Sequence, residues 1–190
     1  MKRLYVHDSI YDEVVDELAT IANDTIIGDG LEQGTKLGPL QNKMQYEKVK
    51  ELIESARQDG NIVAGGEVPD QSGYFIRPTI VRDVAEGSRI VDEEQFGPVL
   101  PVIRFSDEGD AIARANNSDY GLGGSVWSSD LDRAYDVANQ MNTGTVWINK
   151  HAELDPGIPF GGSKQSGLGN ELGMEGLKEF TQLKMINMAR

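Results

Sequence analysis

The run Val99-Leu100-Pro101-Val102-Ile103-Arg104-Phe105 is mostly apolar along its whole length, as a strand covered on both faces must be. Strand-like and helix-like stretches alternate around it. Leu4-Tyr5-Val6 reads as a short strand, and Asp8 or Ser9 can cap a helix with Ile10, Val14, Leu18 and Ile21 on one face. A second helix runs from about Lys43 to Gln58 with Val49, Leu52, Ile53 and Ala56 inward, closes at Gly60, and leads to a strand over Asn61 to Ala64. Tyr74 to Ile76 and Thr79 to Val81 have strand composition, but Pro78 interrupts them and predicts an edge or a bend. After the apolar run, Ser106 or Asp107 can cap a helix bearing Ala111, Ile112 and Ala115. Gly123 to Trp127 is a strand, and Ser129 or Asp130 opens a helix with Leu131, Ala134, Tyr135, Ala138 and Met141 at helical spacing. Gly144 to Asn149 then returns as a strand, a short helix runs to about Phe180, and Gln182 to Met188 reads as a terminal strand. This order predicts an α/β fold, a largely parallel open sheet with flanking helices.

The length of 190 residues suits one domain with a real core. A net charge of -13, with the Lys and Arg scattered singly, argues against nucleic-acid binding. Zero cysteines exclude disulfides, thiolate metal sites and thiol catalysis within the chain. His7 and His151 are the only histidines and no loop has calcium-ligand spacing, so no metal site is expected. Met1-Lys2-Arg3 is basic but polar residues follow where a signal peptide needs apolar ones. No run approaches transmembrane length, and the expectation is a cytoplasmic protein that does not engage a membrane.

Candidate site residues concentrate in two loops. Glu93-Glu94-Gln95-Phe96-Gly97-Pro98-Val99 sets two carboxylates and a ring before a Gly-Pro break at the start of the apolar run. A carboxylate there can accept both hydrogens of a ribose diol, and Phe96 would point to the same side if the backbone is extended; the alternative is a solvated acidic pair before a strand. Pro159-Phe160-Gly161-Gly162-Ser163-Lys164 bends sharply and reads either as a turn or as a pocket wall. Three glycine clusters, at Gly28 to Gly34, Gly121 to Gly124 and Gly167 to Gly173, lack the spacing or the strand-to-helix setting of a dinucleotide loop.

Gly-Tyr-Phe-Ile-x-Pro-Thr at 73 to 79, Glu-Glu-x-Phe-Gly-Pro-Val at 93 to 99, Ala-Asn-Asn-Ser-x-Tyr-Gly-Leu at 115 to 122, Gly-Thr-Val-Trp-Ile-Asn at 144 to 149 and Pro-Phe-Gly-Gly-x-Lys-x-Ser-Gly at 159 to 167 together resemble the C-terminal part of the aldehyde dehydrogenase superfamily. The likeness covers essentially the whole chain in order. It implies oxidation of an aldehyde to a carboxylic acid with NAD or NADP, through thiolate attack, hydride transfer and thioester hydrolysis. By the same resemblance Glu94 holds the nicotinamide ribose, Phe96 packs beside it, and Gln45 and Lys48 form a looser contact region near the cofactor. Phe160 and the loop His151, Ala152, Glu153 and Leu154 line the aldehyde pocket. Residues 1 to 181 correspond to part of the catalytic domain, and 182 to 190 to a terminal strand through which family members pair, so a homo-oligomer is expected.

The departure is at the front of the chain. The family's catalytic cysteine lies just upstream of the segment that Lys2 to Val6 resembles, so the resemblance implies a fragment that has no catalytic residue of its own, holds no cofactor tightly and is inactive in isolation. The rival reading is a binding or assembly module of the same ancestry.

Overall fold

The computed structural model describes residues 1 to 189 and divides the chain into two compact units, one of Met1–Ala111 and one from Ile112 onward. It is a mixed α/β structure in which most strand pairs are parallel and helices flank the sheets.

In the first unit, β1 (Leu4–His7), β4 (Val99–Phe105), β3 (Thr79–Arg82) and β2 (Asn61–Ala64) pair in the order β1-β4-β3-β2. β1 and β3 run parallel to β4, with Leu4 opposite Val102 and Thr79 opposite Val99, while β2 is antiparallel to β3. The apolar run is thus an inner strand. Its alternate residues enter two different cores, as the two-residue period of a strand requires. Val99 and Ile103 join Val81, Ile90 and the inward face of α2 (Lys43–Asp59), whereas Val102 joins Val6, Ile80 and the buried residues of α1 (Tyr11–Asp24). In β2 the register shifts between Ile62 and Ala64, which puts these two residues in opposite cores although they lie two apart.

Several expectations are corrected here. The buried line of α1 is Tyr11, Val15 and Ala22, while Ile10 and Ile21 are exposed. A 3₁₀ turn at Asp8–Ile10, capped by the His7 ring nitrogen accepting from the Ser9 N–H, comes before α1 and rotates the helix face away from the reading that began it at Asp8. Tyr74 to Ile76 form no strand, and β3 begins only after Pro78. Instead of an edge, β3 is an inner strand, because the proline precedes the ladder and removes none of its hydrogen bonds. α2 matches its expected inward face, with Val49, Leu52, Ile53 and Ala56 buried, and begins with Asn42 accepting from the Gln45 N–H at 2.9 Å.

α3 (Arg89–Asp92) is a single turn before the acidic loop, and α4 (Glu108–Asn116) runs across the division between the units. In the second unit β6 (Gly123–Val126) and β7 (Thr145–Ile148) are parallel and are connected by α5 (Leu131–Gln140), whose cap is Asp130. β5 (Tyr120–Gly121) pairs antiparallel with β8 (Ser163–Lys164), and α6 spans Gly173–Lys178. Only Ala134 of α5 is fully buried. Leu131 and Tyr135, expected inward, are 63% and 61% exposed, since Val137, Ala138 and Met141 share the covered side with Ala134. Gln182 to Met188 has no regular secondary structure in the single chain; a strand needs a ladder partner.

Candidate functional site

The acidic loop is built between α3 and β4. Arg89, at the start of α3, reaches one turn forward to Glu93, Nε to Oε1 2.6 Å, and this pairing holds the Glu93 carboxyl below its usual range. The next residue faces solvent: the Glu94 side chain is exposed and accepts no hydrogen bond from the described residues, although its charge acts on the Lys2 ammonium. Gln95 turns inward and is 2% exposed. Its Nε2 donates to the carbonyls of Lys2 (3.0 Å) and Val99 (2.6 Å), and its own carbonyl accepts from Gln45 Nε2 at 2.6 Å. Phe96 then turns outward, 74% exposed, at φ +41°.

That left-handed residue means the loop is not extended at Phe96, so alternation along a strand does not account for the direction of its ring. A non-glycine residue there costs about 1 to 2 kcal/mol. Tertiary contacts must hold it. Gly97 fits because a Cβ at that position would lie 2.7 Å from Val49 Cγ2 on α2, and the Pro98 carbonyl accepts from the Thr79 N–H at 2.8 Å. Beside the loop a recess of about 340 Å³ is lined by Leu37 to Leu40, Ile76, Gly97 and Pro98.

The resemblance therefore named residues that this unit does bring together. Gln45 touches the loop directly, and Lys48, half-buried one turn along α2, lies close enough for its charge to act on Glu93. Lys2 is a further member. Its Nζ donates to the Val91 carbonyl, and burial, with Arg3 as a neighbour of like charge, lowers its pKa to about 8. Gln95 and Lys2 were not singled out from the sequence; for Gln95 the only signal was its place between two residues that were.

The second unit gathers a different set around Trp147 of β7, which is 8% exposed. The indole Nε1 donates to the Glu153 carbonyl at 2.8 Å, so the loop after β7 is tied back to the strand. The His151 ring meets the indole edge-on with centroids 5.6 Å apart, and Phe160 lies 6.3 Å away on a tilted plane. His151 Nδ1 is 3.2 Å from Ser125 Oγ on β6, and burial lowers the imidazole pKa, which favours the neutral ring. Phe160 is fixed by paired backbone bonds with Glu171, 2.8 and 2.7 Å. Ala152 occupies a left-handed turn at φ +54°, Glu153 pairs with Lys150 at 3.3 Å, and Leu154 is 53% exposed. Of the five residues expected at the aldehyde pocket, His151, Glu153 and Phe160 contact the Trp147 ring system, with Glu153 doing so through its backbone. Trp147 itself, their organiser, was not named as a site residue.

The glycine clusters at Gly28 and Gly121 serve backbone pairing and close approach. Gly28 donates to the Leu37 carbonyl at 3.1 Å, and a Cβ on Gly121 would meet Ser163 Oγ at 2.4 Å. Among the described residues no group of three or more His, Asp or Glu is placed to hold a metal, and no helix is long and apolar enough to cross a membrane.

Residues 1–186 match the aldehyde dehydrogenase family. Phenylacetaldehyde dehydrogenase of Pseudomonas fluorescens is 40% identical over 98% of this chain, and the NADP(+) succinate-semialdehyde dehydrogenase of Deinococcus radiodurans is 44% identical over 97%. The NAD+ complex of aldehyde dehydrogenase from Bacillus cereus superposes with a TM-score of 0.93 at 43% identity, covering 96% of this chain and 38% of that one. This chain spans 38% and 39% of the length of the two curated relatives. With the acidic loop and the Trp147 cluster built from the motifs that carry the resemblance, and a fold superposable on solved members, the chain belongs to the aldehyde dehydrogenase family of oxidoreductases.

Proposed function

We propose that this chain supplies the nicotinamide-ribose contacts and part of the aldehyde pocket of an NAD- or NADP-dependent aldehyde dehydrogenase. The observation that carries the reading is the pair Glu94 and Phe96, both exposed on a loop whose intervening residue is buried and pinned. An exposed carboxylate that makes no internal hydrogen bond suits a vicinal diol, since it can accept both hydroxyl hydrogens, and an exposed ring suits a flat heterocycle. An acceptor for the diol and a ring for the heterocycle thus suit the cofactor, which when bound would supply a hydride acceptor. Glu94 would orient the ribose and Phe96 would limit the movement of the ring, while Gln45 and Lys48 steady the loop from α2. In the second unit, the neutral His151, Phe160 and the turn Ala152 to Leu154 would set the shape of the surface that meets the aldehyde. Support for that role is the semi-apolar ring cluster on Trp147.

The 190-residue chain contains no cysteine, and we expect it not to oxidise aldehydes by itself. The thiolate route needs a nucleophile to form the hemithioacetal from which hydride leaves, and loss of a covalent nucleophile costs on the order of 10⁶ in rate. Purified chain mixed with NAD+ and a panel of aliphatic and aromatic aldehydes should give no steady rise in NADH absorbance. Turnover that disappears on mutation of a residue in this chain would overturn the assignment. Binding of NAD or NADP should be weak, because two side chains grip only one end of a dinucleotide.

Self-association through residues 182 to 188 and a cytosolic setting belong to the same reading. Leu183, Met185, Ile186 and Met188 are 83% to 90% exposed, which supports the first, and the absence of cysteine is compatible with the second. The rival, a pure assembly module, draws on that exposed segment and on the missing thiol. It would bind no nicotinamide nucleotide at Glu94.

A further inference from the structure

We propose that Gln95 is a positioning residue for cofactor binding, the internal strut that sets where Glu94 and Phe96 stand. The inference rests on the cofactor reading of that pair. It adds a residue whose own side chain faces the interior and touches no ligand.

The argument begins with a misfit. Gln95 is 2% exposed, yet its Oε1 has no hydrogen-bond partner among the described residues. A buried amide with one orphaned atom is a poor choice for packing alone, since an apolar side chain of similar volume would leave no acceptor unsatisfied within itself. The orientation of the amide is unambiguous: Nε2 faces two carbonyls, those of Lys2 and Val99, which can only accept. The side chain therefore ties the loop at once to the segment before β1 and to the first residue of β4. From α2, Gln45 Nε2 donates to the Gln95 carbonyl. Two distant stretches of chain and the start of β4 converge on one residue, and its two sequence neighbours are the exposed Glu94 and the left-handed Phe96. Once Gln95 is held inward, Glu94 and Phe96 are left outside on either side of it, and the strained φ of Phe96 is retained because the loop cannot unwind around a fixed centre. A cofactor gripped at one end depends on such preorganisation, since disorder in the gripping residues is removed at the moment of binding.

The test compares the full 190-residue chain with Gln95→Leu, Gln95→Glu and, as a core control, Ile53→Val, which lowers stability without touching the loop. Two readouts are taken at a temperature where all variants are folded: amide hydrogen exchange and the backbone chemical shifts of residues 93 to 98, and an NMR titration with nicotinamide mononucleotide. In Gln95→Leu the loop amides should exchange at least about tenfold faster, a local opening cheaper by the corresponding amount, and the Phe96 shifts should leave the left-handed range. Nucleotide affinity should fall by about tenfold or more. Ile53→Val should change neither. Gln95→Glu retains shape and loses the donors, so it should resemble Gln95→Leu. Loop exchange and Phe96 shifts unchanged in both Gln95 variants would overturn the proposal, and so would a loosened loop with unaltered nucleotide affinity. If wild-type chain binds no mononucleotide at all, the cofactor reading fails separately. In that case exchange still decides whether Gln95 orders the loop, although it would then order it for something else. Should a Gln95 variant not fold, Gln45→Leu, which removes the bond to the Gln95 carbonyl, takes its place with loop exchange and the Phe96 shifts as the deciding readouts and smaller expected changes.

Discussion

Glu93 and Glu94 are adjacent carboxylates with different occupations: one is paired with Arg89, and the other is left to solvent. In a competent nucleotide site Glu94→Gln would keep the shape and lose the charged acceptor, and nicotinamide mononucleotide should bind about tenfold more weakly. Glu93→Gln should leave affinity nearly unchanged; equal losses from the two would contradict the division of labour. Lys2 supplies a pH test. Its folded pKa of about 8 lies below the ordinary lysine value of 10.5, so between these pH values the unfolded chain holds more protons than the folded one. Stability should therefore rise with pH across that window through this group. It should be lost again as pH falls through the window, until below about 8 both forms are charged. Denaturant midpoints of wild type and Lys2→Met from pH 7.5 to 10.5 check this: the difference between their slopes should be confined to that window.

At the scale of elements, α2 both covers the sheet and carries Gln45 to the loop. Leu52, fully buried beneath it, should cost about 2 to 5 kcal/mol on substitution by alanine, measured by urea unfolding of the chain. α5 depends more on its cap. Asp130 accepts from the Arg133 N–H at 3.0 Å, and Asp130→Ala should cost roughly 1 kcal/mol. Gly144 is a stricter case, because a Cβ there would stand 1.8 Å from the Gly161 carbonyl oxygen. Gly144→Ala should disrupt the approach of the Phe160 loop to β7 and exceed the cost of losing the cap; near-equal melting behaviour of the two variants would contradict that close approach.

For the molecule as a whole, exposed apolar side chains near the end of the chain meet a net charge of -13. Association through residues 182 to 188 would bury the former and crowd the latter. Sedimentation velocity should therefore show more self-association at about 0.5 M salt than at about 0.02 M, where screening is weak. Removal of residues 182 to 190 should abolish it. A monomer at every salt concentration would refute the oligomer proposal.

Most of the longer strands and helices, the two-sided covering of Val99 to Phe105, the inward face of α2 and the family were legible in the residues, because apolar period and ordered motifs are local properties of a chain; the short α3, β5 and β8 were not, and the strand expected over Gln182 to Met188 is absent. Other features were not. The burial of Tyr11 in place of Ile10 followed from a 3₁₀ turn, and the inner placement of β3 followed from which strands found each other. The role of Trp147 emerged only when the loop after β7 folded back onto its indole. Gln95 is the sharpest instance. Its sequence position identifies the acidic loop, but a polar residue between two site residues has no inherent direction. Only the carbonyls of Lys2 and Val99 and the amide of Gln45, two of them far away along the chain, turn it inward and leave Glu94 and Phe96 outside.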